Sequence, residues 1–207
     1  MTDKKGFADR TRDRATAKDD SPHAHQAPDR RGWVAAILHR WPTVLAVAFA
    51  FLVAYDLEDG SVLYFILLIS ALCYLAAAAL NRRRVPWAVL LLSIPAVVAM
   101  RALGIEPAVG LLVAAVIFLG LGLARWRQRA LWGMPLQTFG MFAFGAIGLA
   151  VMFVDADLGA YLVAVGLIGH GVWDVIHYWA NKVAVRSFAE WCAVYDILLG
   201  AAVLILV

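Results

Sequence analysis

Seven apolar segments separated by short charged ones occupy nearly all of the chain after residue 42, at approximately 43 to 56, 61 to 80, 86 to 101, 107 to 124, 136 to 154, 158 to 180 and 190 to 207. Most approach the roughly 20 residues that a helix needs to cross a bilayer, while the first and third are short. The pattern predicts an all-α fold, a polytopic transmembrane helix bundle with seven spans, six being the alternative count. A chain of 207 residues would otherwise be read as one soluble domain, but 63% hydrophobic residues lies outside the soluble range.

The connecting segments predict the orientation. Arg30, Arg31 and Arg40 precede the first run; Arg82, Arg83 and Arg84 follow the second, Arg125, Arg127 and Arg129 the fourth, and Lys182 and Arg186 the sixth. The alternate connections carry Asp56, Glu58 and Asp59, then Arg101 with Glu106, then Asp155 and Asp157. Lys and Arg therefore gather on one side, with Arg101 the single exception. Under the positive-inside rule this places the N-terminus in the cytoplasm and the C-terminus outside an inner membrane.

Ahead of the spans, residues 1–30 mix both charge signs with Pro, Ala and Ser and offer no apolar face, which predicts a disordered cytoplasmic tail. No apolar stretch follows Lys4 and Lys5, so a cleaved secretory signal is not expected. Residues 31–41 place Trp33, Val34, Ile37, Leu38 and Trp41 opposite Arg31 and Arg40, the pattern of an interfacial amphipathic helix. The transmembrane helical domain is then 42–207. Trp87, Trp126, Trp132, Trp179 and Trp191 sit near span ends as an aromatic belt. The pairs Gly120 with Ala124 and Ala146 with Ala150 are expected to let helices approach closely. Cys73 and Cys192 fall inside apolar runs and read as buried free thiols.

One stretch breaks the apolar monotony. In "GHGVWDVIHYWAN", residues 169 to 181, His170, Asp174 and His177 are spaced i, i+4, i+7 and share one helical face. Ionisable groups at membrane depth are costly and face the bundle interior. Asp196 of the last run is expected level with Asp174 in an antiparallel hairpin. Two carboxylates in low dielectric then require a shared proton, a cation or a metal.

Two metal sets follow from the spacing, because His170 and His177 lie ~10 Å apart along the axis and cannot easily serve one ion together. Either Asp174, His177 and Asp196 form the set with His170 behind them, or His170 joins Asp174; Glu190 is a further candidate ligand near the interface. Imidazole with carboxylate suits zinc or iron. Trp173, Cys192, Cys73 and Tyr74 are expected at the rim.

The segment from His170 to Ile205 resembles the C-terminal part of a loosely defined group of uncharacterised bacterial integral membrane proteins, in which a His, a Trp-Asp pair and further His on one helix precede Cys and Asp on the next. The residues that carry it are His170, Trp173, Asp174, His177, Cys192 and Asp196. Tyr178 follows His177 where some members have a second His. The architecture is also similar to that of the membrane zinc hydrolases of the alkaline ceramidase and adiponectin receptor superfamily. Here Ser70 is followed four residues on by Tyr74 in place of their His, and the last run has no His.

The expected function is a membrane-embedded, metal-dependent enzyme acting on a lipid or isoprenoid-like substrate, with His170, Asp174, His177 and Asp196 as its catalytic group. The alternatives are a proton-linked carrier using the same residues, and a structural or partner-binding membrane protein in which they form an interhelical hydrogen-bond network. The expected partners are membrane lipid and a hydrophobic small molecule; nucleic acid is not expected, since topology already accounts for the basic loops.

Overall fold

The structure, a computed structural model, describes residues 40–55, 57–125 and 132–206. The expected tail over 1–30, and all of the expected interfacial helix except Arg40 and Trp41, lie outside the described residues, as do Asp56, Trp126, Arg127 and Arg129. Every regular element among the described residues is helical. In chain order these are α1 (Trp41–Ala54), a 3-10 turn (Gly60–Leu63) running into α2 (Tyr64–Leu80), α3 (Val85–Ala102), α4 (Pro107–Ala124), α5 (Met134–Ala150) with a 3-10 turn (Val151–Phe153), α6 (Ala156–Ala180) and α7 (Arg186–Leu206).

Six helices are long and apolar enough to cross a membrane, which makes this a multi-pass membrane protein: Gly60–Leu80, Val85–Ala102, Pro107–Ala124, Met134–Phe153, Ala156–Ala180 and Arg186–Ile205. The third apolar run, short in sequence, qualifies because its helix extends one residue further at each end, from Val85 to Ala102, to reach 18 residues. The first run yields 14 helical residues, ~21 Å of rise against a hydrocarbon core of ~30 Å.

The core is organised around α2, whose residues from Leu67 to Ala77 are buried without a break. A helix apolar all round belongs in the interior. It packs against α3, α4, α5 and α6, while α7 lies along α6 and carries α1 on its other side. The α6 and α7 axes approach closely because glycines sit at the crossing. A Cβ on Gly200 would lie 2.9 Å from the Ala164 carbonyl, and one on Gly171 would lie 3.3 Å from the Ala193 carbonyl.

The expected small-residue pairs do not fill this role. Gly120 has nothing within 4 Å of the position its Cβ would take, and Ala124 and Ala146 are exposed. Helix rotation decides the matter: α4 turns Gly122 inward against Met134, and α5 turns Gly145 and Gly148 toward Leu68.

The connections gather by charge. Asn81 and Asn181, both in the left-handed conformation (φ 51° and 50°), terminate α2 and α6 at the same end. Arg83 donates to the Asn181 side chain and to the Ala184 carbonyl, so the α2–α3 turn is tied to the α6–α7 turn. Trp41, Trp87 and Trp191 form a contiguous aromatic group here, with ring centroids 5.6 and 5.8 Å apart. At the opposite end Asp59 caps the 3-10 turn through the Ser61 amide at 2.8 Å, Asp155 caps α6 through the Leu158 amide at 3.0 Å, and Glu106 accepts the Tyr64 hydroxyl.

Candidate metal centre

Helical spacing fixes the first part of the site. On α6, His170 and Asp174 are one turn apart, and the His170 Nδ1 lies 3.1 Å from Asp174 Oδ2. The same nitrogen lies 2.9 Å from Asp196 Oδ2 on α7. One imidazole nitrogen therefore stands between two carboxylate oxygens from two helices. All three residues are fully buried, at 0% exposure. Their ligand atoms fall within 4.8 Å of one another, close enough for one ion to draw them into its coordination shell.

α2 supplies the third wall. Tyr74 donates its hydroxyl to Asp174 Oδ1 at 2.5 Å, which fixes the carboxylate from the side away from His170. Ser70, one turn away on the same face of α2, is buried beside the Asp196 carboxylate. Two polar atoms remain unpartnered in the buried group itself, His170 Nε2 and Asp196 Oδ1. Buried polar atoms are nearly always satisfied, so such a pair marks a site built for something more than its own side chains.

Asp196 sits one turn deeper than the sequence implies. Hydropathy places the start of the last helix near Glu190, whereas α7 begins at Arg186, so Asp196 lies ~15 Å from that end, level with His170 rather than with Asp174. This shift selects His170 as the third member of the group.

His177 stands apart. Its Nδ1 donates to the Trp173 carbonyl at 2.8 Å and its Nε2 accepts from Gln137 Nε2 at 2.9 Å, so both ring nitrogens are engaged. Neither faces a carboxylate, and the set of Asp174, His177 and Asp196 is not assembled. The ring packs on Tyr74, centroids 4.6 Å apart, and on Trp173 at 5.0 Å. Glu190 is likewise elsewhere: its Oε1 accepts from Thr43 at 2.6 Å and pairs with Arg40 at 3.4 Å, holding α1 to α7 near the membrane surface.

Of the expected rim, Trp173 is half-buried against Phe144 and His177, and Cys73 and Cys192 are buried free thiols flanking the carboxylates. Gln137 and Phe144 belong to the site and were not anticipated. Gln137 is a lone buried amide in the fifth apolar run, the sequence signal that could have found it; Phe144 meets the His170 ring edge-on with centroids 4.8 Å apart and carries no such signal.

Two cavities lie against residues that neighbour the group. One of about 610 Å³, at the end bearing Arg82, Arg83, Arg125 and Lys182, is walled in part by Trp132, whose ring stands 5.8 Å from that of His177. The other, of about 300 Å³, is apolar and lies between α1, α2, α3 and α7, with Ser70 and Tyr195 on its wall.

Comparison with family models, with curated proteins and with solved structures gives no match for this chain.

Proposed function

We propose that this protein is a membrane-embedded enzyme that binds a divalent metal ion through His170, Asp174 and Asp196 and acts on a lipid or isoprenoid-like substrate. The observation that carries the reading is the convergence of one ligand atom each from His170, Asp174 and Asp196 within 4.8 Å in a fully buried setting. Two carboxylates so placed need a countercharge, which an ion supplies without a proton. Three protein ligands are the number found at catalytic rather than structural zinc centres, and the same donors suit iron. A bound ion would activate water or polarise a carbonyl.

The side chains divide the remaining work. Tyr74 orients Asp174 through its second oxygen, as outer partners of metal ligands do. Ser70 and Tyr74, four residues apart on α2, both face the carboxylates, which keeps the likeness to the membrane zinc hydrolases to a shared placement with different donors. His177 holds the Gln137 amide and closes the end nearer the arginines. The apolar cavity beside Ser70 supports a hydrophobic substrate.

The orientation we infer has the arginine-bearing end in the cytoplasm of a bacterial inner membrane. α1 completes a seventh span if it extends toward the N-terminus. A polar path for transport is not supported by α6, whose residues from Leu158 to Gly169 offer only the Tyr161 hydroxyl. Complete burial favours a second reading, in which the group ties α2, α6 and α7 together as a structural network.

Metal content of detergent-purified protein, measured by inductively coupled plasma mass spectrometry, tests the proposal. Near-stoichiometric zinc or iron in the wild type, lost in Asp174→Asn and retained in His177→Gln, supports the assignment. Metal absent from wild type purified without chelator would leave the structural network.

A further inference from the structure

The apolar cavity has a shape and a charged end that the metal site does not explain. It runs along α3 from Leu90 to Arg101, twelve residues, or ~16 Å of helical rise. A volume of about 300 Å³ over that length leaves room for one extended hydrocarbon chain and no more. Its walls include Phe49 of α1, Ile66 of α2, and Ile94 and Val98 of α3, the last two substantially exposed. The groove is therefore open sideways. On the far wall Trp191 and Tyr195 stack with centroids 4.8 Å apart and planes 15° apart, a flat and rigid surface.

Arg101 closes the end away from the arginine cluster. It is the single basic exception in the charge pattern of the loops, so topology does not account for it. Its guanidinium stands over the Phe65 ring, 4.8 Å from the centroid, which fixes the side chain at the mouth of the groove. Among the described residues no carboxylate is within ion-pair distance of it, since Glu106 at that end accepts the Tyr64 hydroxyl instead. At the other extremity Ser70 separates the groove from Asp196.

We propose that this groove binds one acyl chain of an anionic bilayer phospholipid, with the phosphate on Arg101 and the chain directed inward to Ser70. The charge at the mouth selects an anion, the lateral opening admits it from the bilayer, and the calibre accepts a single chain. As a statement of what reaches the metal centre this rests on the function proposed above, and it then names the chain rather than the head group as the part presented to Asp196. As a lipid site it stands by itself.

Native mass spectrometry of the full chain, released from detergent supplemented with equal amounts of phosphatidylglycerol and phosphatidylcholine of identical chains, tests it. The expected result is one retained lipid with at least a fivefold preference for phosphatidylglycerol. Arg101→Gln, at an exposed helix end, should abolish the preference, and Ile94→Trp, which fills the groove and leaves Arg101 in place, should reduce retention of both lipids. Asp174→Asn should leave lipid retention unchanged, so a metal centre that fails its own test does not decide this one. Equal retention of the two lipids by wild type, a preference that survives Arg101→Gln, or full retention by Ile94→Trp overturns the assignment. So does an adduct with the mass of a free fatty acid, or a paired chain without lipid.

Discussion

Replacing Asp196 by Asn should change protein stability in opposite directions with and without metal. The side chains are nearly isosteric and the site is fully buried, so the substitution alters charge rather than packing. Two unit charges 4.8 Å apart repel by about 3.5 kcal/mol at an effective dielectric constant of ~20, and the ligand atoms here are at most that far apart. At a pH high enough that the metal-free site takes up no extra proton as countercharge, the variant is relieved of this repulsion. Against that, the bond from His170 Nδ1 becomes neutral in place of charge-assisted, a loss of about 1–1.5 kcal/mol. The metal-free variant should therefore be more stable than the metal-free wild type by about 2 kcal/mol, a rise in Tm on the order of 5 °C. With ion bound the order reverses, because wild type keeps an anionic ligand that the variant lacks. Differential scanning fluorimetry in detergent, on protein purified throughout with chelator and then titrated with zinc or iron(II), reads both states. A wild type whose Tm does not respond to metal, together with a variant less stable under both conditions, would refute the reasoning and identify Asp196 as part of a structural network.

Tyr74→Phe removes a hydrogen bond to a carboxylate and should cost about 1.5–3 kcal/mol, with metal affinity falling 10- to 100-fold in a competition titration as Asp174 loses its orientation. Gly200→Ala should destabilise by about 1–3 kcal/mol, because its Cβ meets the Ala164 carbonyl and backbone cannot yield as a side chain can; Gly120→Ala, with open space around it, should be neutral or stabilising by up to about 1 kcal/mol, and paired thermal unfolding curves compare them. Glu190→Gln should leave metal content unchanged and lower stability by no more than about 1 kcal/mol, since it weakens only a surface-facing tie to Thr43 and Arg40.

The helices were legible because the hydrophobic signal for a buried or lipid-facing segment is strong and the connections are short. Their ends were less so. The first turn of α7, from Arg186 to Glu190, sets Arg186, Ser187 and Glu190 toward the surface beside buried Phe188 and Ala189, and hydropathy cannot separate such a mixed helical turn from a loop. That one turn moved Asp196 from the level of Asp174 to that of His170, so that His170 and not His177 completes the buried group. The inward stripe of α6 was legible from spacing, as was the burial of the two thiols. Which stripe of α4 or α5 faces inward was not, because both are rich in small residues all round and only packing against Met134 and Leu68 chooses among them.

The hydrogen bond from Tyr74 to Asp174 joins residues 100 positions apart. During synthesis α2 therefore enters the bilayer long before its partner exists, carrying a hydroxyl that lipid tolerates. α6 is the least apolar of the six long helices, with a mean hydropathy of 1.5, and its Asp174, six residues from the helix end, opposes membrane entry by part of the roughly 2.5–3.5 kcal/mol that an aspartate costs at a helix centre. Its natural course is to enter as a hairpin with α7, which brings Asp196 to His170 in the same event. Site assembly then waits for α7, and a nascent chain halted after Asn181 should remain a substrate for quality-control proteolysis until α7 arrives.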